Sequence, residues 1–214
     1  LILAGITVAF FILGHLGVRF VLWPQIEKSK PTLERLMSAR LGAQVTMDAV
    51  QVSWTGIRPS FSIEGLRFNN ANTSTPPLFV QNINGQLSWL SFYHLAPYFH
   101  EITFDQVQLY AQRDIKGVVS IAGIPIHSSA DNFATENWLF AQNDIQINNA
   151  RIFWEDQQSR KLKTSIDIQS LQLSNGIRSH EGQLVAQTPW SSNPIKLQVD
   201  FVHHLTGQAG DWRD

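Results

Sequence analysis

An eight-residue pattern recurs six times along this chain and constrains its fold more than any other feature. Its order is apolar, any, apolar, any, any, apolar, any, apolar, with polar or small residues at the central pair. Each half alternates with period two, which is typical of a half-buried β-strand. The copies occupy Val45, Met47, Val50 and Val52; Phe61, Ile63, Leu66 and Phe68; Leu78, Val80, Ile83 and Gly85; Ile102, Phe104, Val107 and Leu109; Ile145, Ile147, Ala150 and Ile152; and Ile166, Ile168, Leu171 and Leu173.

The doubled central position predicts an interruption in every one of these strands. In a regular strand, the second apolar pair would face away from the first. A β-bulge at the centre absorbs the extra residue, returns the second pair to the first face and bends the strand. The pattern therefore predicts a mainly β fold with a curved antiparallel sheet of bulged strands. Its apolar side is either the core of a closed sandwich or the lining of an open groove.

Composition narrows the functional classes. The 214 residues are enough to bury a core, and a net charge of −1 with 15% charged residues argues against a nucleic-acid partner. The chain has no cysteine, so it has no disulfide framework, thiol nucleophile or thiolate metal site. Seven tryptophans and thirteen phenylalanines against two methionines favour aromatic strand surfaces.

The amino terminus predicts a transmembrane anchor over residues 1–23. Leu1 to Val18 holds no charge, and Phe20 to Trp23 follows Arg19. A run of about 22 residues is long enough to cross a bilayer, and Trp23 stands where an interfacial aromatic residue belongs. A cleaved signal peptide is the competing interpretation, but its apolar region is usually shorter and no small-x-small cleavage site precedes Pro24.

The remainder of the chain divides into two further segments. Residues 24–43 form a linker and a short amphipathic helix over Pro31 to Leu41, with Gly42 as its C-terminal cap. Residues 44–214 form the β-groove region, which we expect to be truncated at its C-terminal end. A short helix around Leu90 to Tyr98 interrupts the strands, and the stretches 70–77 and 127–136 are predicted loops.

No residue pattern indicates catalysis. The seven histidines show no ligand pair at helical i, i+4 spacing. Asp48, Glu64 and Asp105 fall at the predicted bulges, where acidic side chains commonly stabilise turns and irregular backbone. The chain also lacks a phosphate-cradling glycine loop and a G-x-S-x-G turn. We therefore expect no catalytic residue, no metal ligand, no cofactor and no enzymatic activity.

Several segments resemble the amino-terminal part of the YhdP branch of the AsmA-like family, large envelope proteins of Gram-negative bacteria. The resemblance covers nearly the whole chain. It is carried, in order, by the anchor with Leu22 to Glu27, by Leu33-Glu34 leading to Leu41-Gly42, by Val52 to Pro59, by the bulged segment Phe61 to Phe68, by Ile121 to Pro125, by Trp138-Leu139, by Ala150 to Asp156 and by Gly210 to Trp212.

The resemblance implies a single-pass inner-membrane protein with the bulk of its chain in the periplasm, although Arg19 and Lys28 alone would favour a cytoplasmic side. It implies a module of a bridge-like protein that moves phospholipid between the inner and outer membranes through an apolar β-groove. Its expected partners are phospholipid, the inner membrane and an inner-membrane protein. The lipid-contacting candidates are the apolar positions of every copy except the third, without Ala150. The alternative function is an interaction scaffold that supports outer-membrane biogenesis.

Overall fold

A computed structural model describes residues 16–17, 19–20, 23–70, 76–94, 96–125, 140–159, 162–176 and 179–202. The helices are α1 (Trp23–Lys28), α2 (Lys30–Leu41) and α3 (Leu90–His94). The strands are β1 (Gln44–Thr46), β2 (Ala49–Thr55), β3 (Arg58–Asn69), β4 (Leu78–Leu87), β5 (Phe99–Arg113), β6 (Val119–Ile121), β7 (Ile124–Pro125), β8 (Asp144–Asp156), β9 (Leu162–Asn175), β10 (Ser179–Gln187) and β11 (Ile195–Val202).

All eleven described strands belong to one sheet. Its order is β1-β3-β4-β5-β8-β9-β10-β11, with β2 also on β3 and with β6 between β5 and β7. The described strands therefore form no two-sheet sandwich, and the closed-sandwich interpretation of the apolar side is wrong for this part of the chain. We call the end of the sheet with the Gly56-Ile57 turn and the connection 88–98 the near end. The end where β5 and β8 finish is the far end.

The predicted antiparallel arrangement is wrong at one pair. Strands β5 and β8 are parallel, with Ile102 opposite Ile145 and Arg113 opposite Asp156, so the sheet is mixed. Parallel neighbours need a long crossover, because the chain must return to the end where the first strand began. Residues 114–143 make this return and include β6 and β7. The predicted loop 127–136 lies outside the described residues.

The six interruptions lie at one level across the sheet. We call Asp48, Gly65, Gln81, Gln106, Asn149 and Gln169 the seam. Pairing between β3 and β4, for example, runs to Glu64 opposite Asn82 and resumes at Leu66 opposite Val80 in the same register. Gly65, Gln106 and Asn149 have φ angles of 61°, 55° and 54°.

Matching extra residues change the predicted geometry. A bulge places two residues of one strand opposite one of its partner, and this mismatch bends the strand. Along most of the seam each strand contributes the extra residue, so the register on the two sides of the seam is the same. The β4–β5 pairing shifts register only at the near end, between Gln86 and Leu87. Only beyond Gln169 is the extra residue unmatched, and there the register shifts between Val185 and Ala186. The predicted curved groove is therefore corrected to an open, uncurled sheet.

Helix α2 covers the β1 edge of the sheet. It spans Lys30–Leu41 and ends at Gly42, whose φ of 67° and bond to the Ser38 carbonyl confirm the predicted cap. The backbone amides of Val45 and Met47 donate to side-chain oxygens of Ser38 and Glu34, each over 2.9 Å. An exposed edge strand can pair with a strand of another chain. These two bonds occupy backbone donors at the β1 edge and so oppose such pairing.

The predicted anchor lies mostly outside the described residues. Among the residues that the structure describes, no helix has the length and apolar character needed to span a bilayer. The described fragments 16–17 and 19–20 do not test the full run, and the anchor stays a prediction.

Replacing Gly65 by alanine should destabilise the sheet more than replacing Gly56. Both glycines have a φ of 61°, so each substitution costs about 1 to 2 kcal/mol for the left-handed conformation. A Cβ at Gly65 would also lie 1.9 Å from Oδ2 of Asp48, whereas Gly56 has open space. Chemical denaturation followed by tryptophan fluorescence should show the larger loss of unfolding free energy for Gly65→Ala. Equal losses would contradict close packing at the seam.

The far end should lose stability in acid through Asp156. Its carboxylate is buried and accepts hydrogen bonds from Arg113, Gln158 and Ser159, and the Arg113 bond above all holds its pKa well below the ordinary value. A lowered carboxyl pKa stabilises the folded state above the unfolded-state value near 4, and this stabilisation disappears as the pH falls below it. Asp156→Asn should therefore unfold at lower denaturant concentration than the parent at pH 7.

The difference between the two proteins should shrink below about pH 4. Asp167→Asn is the matched control, because its carboxylate bonds Arg151 but is 45% exposed, and surface ion pairs contribute only about 0 to 1 kcal/mol. A difference between parent and Asp156→Asn that stays constant from pH 7 to pH 3 would count against this assignment.

Candidate functional site

The apolar positions of the six copies lie opposite one another and form one continuous surface, which we call the apolar face. Cross-strand pairing joins copy to copy along rows. The rows are Val52–Phe61–Gly85–Ile102–Ile145–Leu173, Val50–Ile63–Ile83–Phe104–Ile147–Leu171, Leu66–Val80–Val107, Ala150–Ile168, Val45–Phe68–Leu78 and Leu109–Ile152–Ile166.

Both halves of each copy share this face, as the doubled centre predicts. Ile63 and Leu66 flank the seam on β3, and both pack on the same cluster around Val80 and Ile83. Residues on the two sides of the seam would face opposite ways in an uninterrupted strand. The seam therefore keeps the apolar surface continuous from the near end to the far end.

The lipid-contacting candidates are enclosed to different degrees. Val45, Met47, Phe68, Ile102 and Ile145 are buried, and the other candidates are half-buried. Ile102 and Ile145 pack against neighbouring side chains of the sheet, such as Val80 and Ile83. Val45, Met47 and Phe68 form a separate cluster that Met37 of helix α2 and Ala122 also contact, so the apolar face is covered at the β1 edge. Contact with lipid stays a prediction for all of them.

One glycine shapes the near part of the apolar face. The Phe61 ring lies over the backbone of Gly85, where an added Cβ would come within 2.5 Å of Cε1 and Cζ. The ring can then reach Phe99, whose centroid is 5.8 Å away. This contact explains the glycine that makes the third copy the weakest match to the pattern.

The opposite face of the sheet is polar. One row consists entirely of amide and hydroxyl side chains, namely Gln51–Ser62–Asn84–Thr103–Gln146–Gln172–Gln183–Gln198. The carboxylate of Asp144 accepts hydrogen bonds from Gln146, Gln172 and Ser174 over 2.9, 3.1 and 2.8 Å. These polar side chains bond to one another within the face, so the sheet has one polar and one apolar side.

Ion pairs lie away from the apolar rows. Arg67 donates two bonds to the Asp48 carboxylate, over 2.7 and 3.1 Å, and lowers the pKa of Asp48 from its ordinary value. Both side chains are about half exposed, and the pair closes the β1 end of the seam. In the described part of the chain no three His, Cys, Asp or Glu side chains are grouped as metal ligands would be.

The sequence pattern does not reveal that the apolar face continues onto β10 and β11. Pairing places Leu171 opposite Leu184 and Leu184 opposite Leu197. Along β11, Ile195, Leu197 and Val199 are 45%, 53% and 45% exposed. The signal that could have identified this extension is the simple alternation Ile195, Leu197, Val199, Phe201.

Substituting alanine at Gly85 should disturb the apolar face, whereas the same substitution at Gly182 should be tolerated. Both glycines occupy apolar rows, but an added Cβ at Gly182 would meet Leu173 Cδ2 at 3.4 Å, an ordinary contact. Overpacking of this kind costs about 1 to 3 kcal/mol. Denaturation of Gly85→Ala and Gly182→Ala in parallel measures the difference. If both variants lose the same stability, the Phe61 ring is not held over Gly85.

A comparison with curated protein sequences finds no match for this chain. The family model described as YhdP protein matches residues 1–213, which is nearly the full sequence. The chain therefore belongs to the YhdP family.

Proposed function

We propose that the apolar face holds the acyl chains of phospholipid and that the protein is a membrane-anchored periplasmic module of a lipid bridge between the inner and outer membranes. The observation that carries this proposal is the alignment of apolar rows on one face from the near end to the far end. Burial of each acyl methylene contributes about 0.8 kcal/mol, and a charged head group can stay in water beside the face. Membership of the YhdP family is compatible with this role.

The repetition of similar contacts favours movement over storage. Most positions of the rows are valine, isoleucine, leucine or phenylalanine, so neighbouring positions offer an acyl chain similar stabilisation. A lipid that moves by one row exchanges one apolar contact for another and needs no transfer into water. This movement requires no bond to be made or broken, and we assign no enzymatic step to the protein.

The two edges of the sheet differ, and this difference is expected of one module within a longer sheet. Side chains of α2 bind the β1 edge, so extension on that side is opposed. Every residue of β11 is exposed, and its apolar side chains continue the rows of β10. Further strands added next to β11 would lengthen the apolar face without changing its register.

Photo-crosslinking in cells tests the lipid contact directly. Benzoylphenylalanine placed at Ile63, Phe104, Ile147 and Ile168 should capture phospholipid, identified by mass. The matched controls are the preceding residues Ser62, Thr103 and Gln146, which point to the polar face, and they should give at most a tenth of the lipid adduct. Equal adducts on both faces would refute the proposal, and protein adducts alone on the apolar face would favour the scaffold function instead.

A charge on the apolar face should block lipid occupancy. With benzoylphenylalanine at Ile147, the substitution Phe104→Asp on the paired strand should lower the lipid adduct several-fold, because a carboxylate is poorly solvated among acyl chains. Thr103→Asp places the same charge on the polar face and should leave the adduct unchanged. Circular dichroism and limited proteolysis check that each variant folds. If Phe104→Asp unfolds, Phe104→Ser replaces it, and an unchanged adduct in a folded variant would contradict the conduit.

A further inference from the structure

An exposed apolar patch lies at the near end of the sheet. It consists of Ile57, Trp89, Leu90, Phe92 and Tyr93, which we call the interfacial patch. Their exposed fractions are 65%, 38%, 53%, 37% and 82%. Large apolar residues scattered singly over a surface are ordinary, but here four lie together in the stretch 89–93, with Trp89 in contact with Phe92, and Ile57 lies in the turn at the same end of the sheet. Such a group marks an interaction site.

Local hydrogen bonds fix the patch in place. The amide of Ser88 donates to the Tyr98 carbonyl over 2.8 Å, and the Ser91 hydroxyl donates to the same carbonyl over 2.7 Å. The Tyr98 amide in turn donates to the Ser91 hydroxyl over 3.0 Å. These bonds tie the two ends of the connection 88–98 together, so α3 presents its aromatic residues as one fixed surface.

The patch lies near Arg19, a residue of the predicted anchor. The Trp89 ring centroid is 6.3 Å from Trp54 and 5.3 Å from Phe92. The guanidinium of Arg19 lies 5.3 Å from the Trp54 ring centroid. Arg19 belongs to the predicted anchor, residues 1–23, so this residue of the anchor segment lies beside the aromatic side chains at the near end.

The chemistry of the patch fits a bilayer surface. Tryptophan and tyrosine are enriched at membrane interfaces, where an apolar ring and a polar tip are both accommodated. Arg19 adds a positive charge beside the rings, and basic residues near a membrane are attracted to anionic lipid. A soluble partner could bind anywhere on the protein surface, far from the anchor. A bilayer that holds the anchor would instead contact the part of the surface next to it, and the interfacial patch lies there.

We propose that the interfacial patch docks on the surface of the membrane that holds the anchor and opens the near end of the apolar face to the acyl region of that membrane. This inference deepens the proposed function. Trp54 alternates with Val52 on β2 and so lies on the apolar face, which continues through Phe61 and Phe99. A lipid that leaves the bilayer beside the patch would meet apolar side chains at each step.

Fluorescence depth measurement tests the docking. The chain has no cysteine, so Leu90→Cys and Tyr93→Cys each give a single attachment site for the environment-sensitive dye NBD. The matched control is Ile115→Cys, which is 73% exposed in the parent but lies at the far end. The fifteen residues of β5 separate the two ends by roughly 50 Å. The full chain is reconstituted in vesicles of phosphatidylethanolamine and phosphatidylglycerol at about 3:1.

Labels at Leu90 and Tyr93 should emit at shorter wavelength and lose at least half of their emission to nitroxide lipids labelled near the head group. The label at Ile115 should lose less than a tenth. Quenching at Leu90 no stronger than at Ile115 would overturn the docking. A shift to shorter wavelength without nitroxide quenching would also overturn it, because the patch would then be covered by protein.

Crosslinking from Phe104 and Ile147 in the same vesicles separates this inference from the proposed function. Lipid adducts at these positions with an unquenched Leu90 label would overturn the docking and leave the conduit standing. A quenched Leu90 label without lipid adducts would support the docking and overturn the conduit.

Discussion

The apolar face depends on extra residues at one level in the strands that contain the eight-residue pattern. Side-chain direction alternates along a strand, so a strand without the extra residue would present polar side chains to the apolar face beyond the seam. The seam needs unusual backbone conformations, with φ near 55° at Gln106 and Asn149 and 61° at Gly65. Glycine accepts this conformation freely and asparagine tolerates it, whereas glutamine at this angle is uncommon and is held by the pairing on both sides.

Local features of the fold could be predicted from the sequence, and relations between distant strands could not. Periodicity and its interruption are local, so the strands that contain the copies, the central pair at which each is interrupted, helix α2 and its Gly42 cap follow from the residues. The first copy differs, because it is divided between β1 and β2. The parallel pairing of β5 and β8 depends on a connection of about thirty residues that carries no pattern of its own. The uncurled sheet depends on neighbouring strands having their extra residues at one level, which no single segment reveals.

The same reasoning explains why the candidate site was predicted only in part. The eight-residue pattern stops after Leu173 because β10 has no extra residue, and the unmatched Gln169 is absorbed by the shift between Val185 and Ala186. Leu184, Ala186 and the apolar residues of β11 nevertheless continue the rows. The eight-residue pattern contains the extra central residue, so it identifies only strands that have this residue. Strands β10 and β11 lack it, and the apolar face therefore extends beyond the six copies.

A single-layer sheet shields only one side of an acyl chain, and this limits how tightly it can bind lipid. Complete burial at about 0.8 kcal/mol per methylene would bind a chain of sixteen carbons by more than about 10 kcal/mol, which would oppose release. On an open face roughly half of the chain's surface is covered by protein, and the other half must be covered by a second acyl chain or by another lipid. If phospholipid occupies the face as proposed, lipids packed side by side along the rows would satisfy this requirement, and each would move without leaving apolar surroundings. An open, uncurled face is therefore better suited to many lipids in a row than to the tight binding of a single lipid.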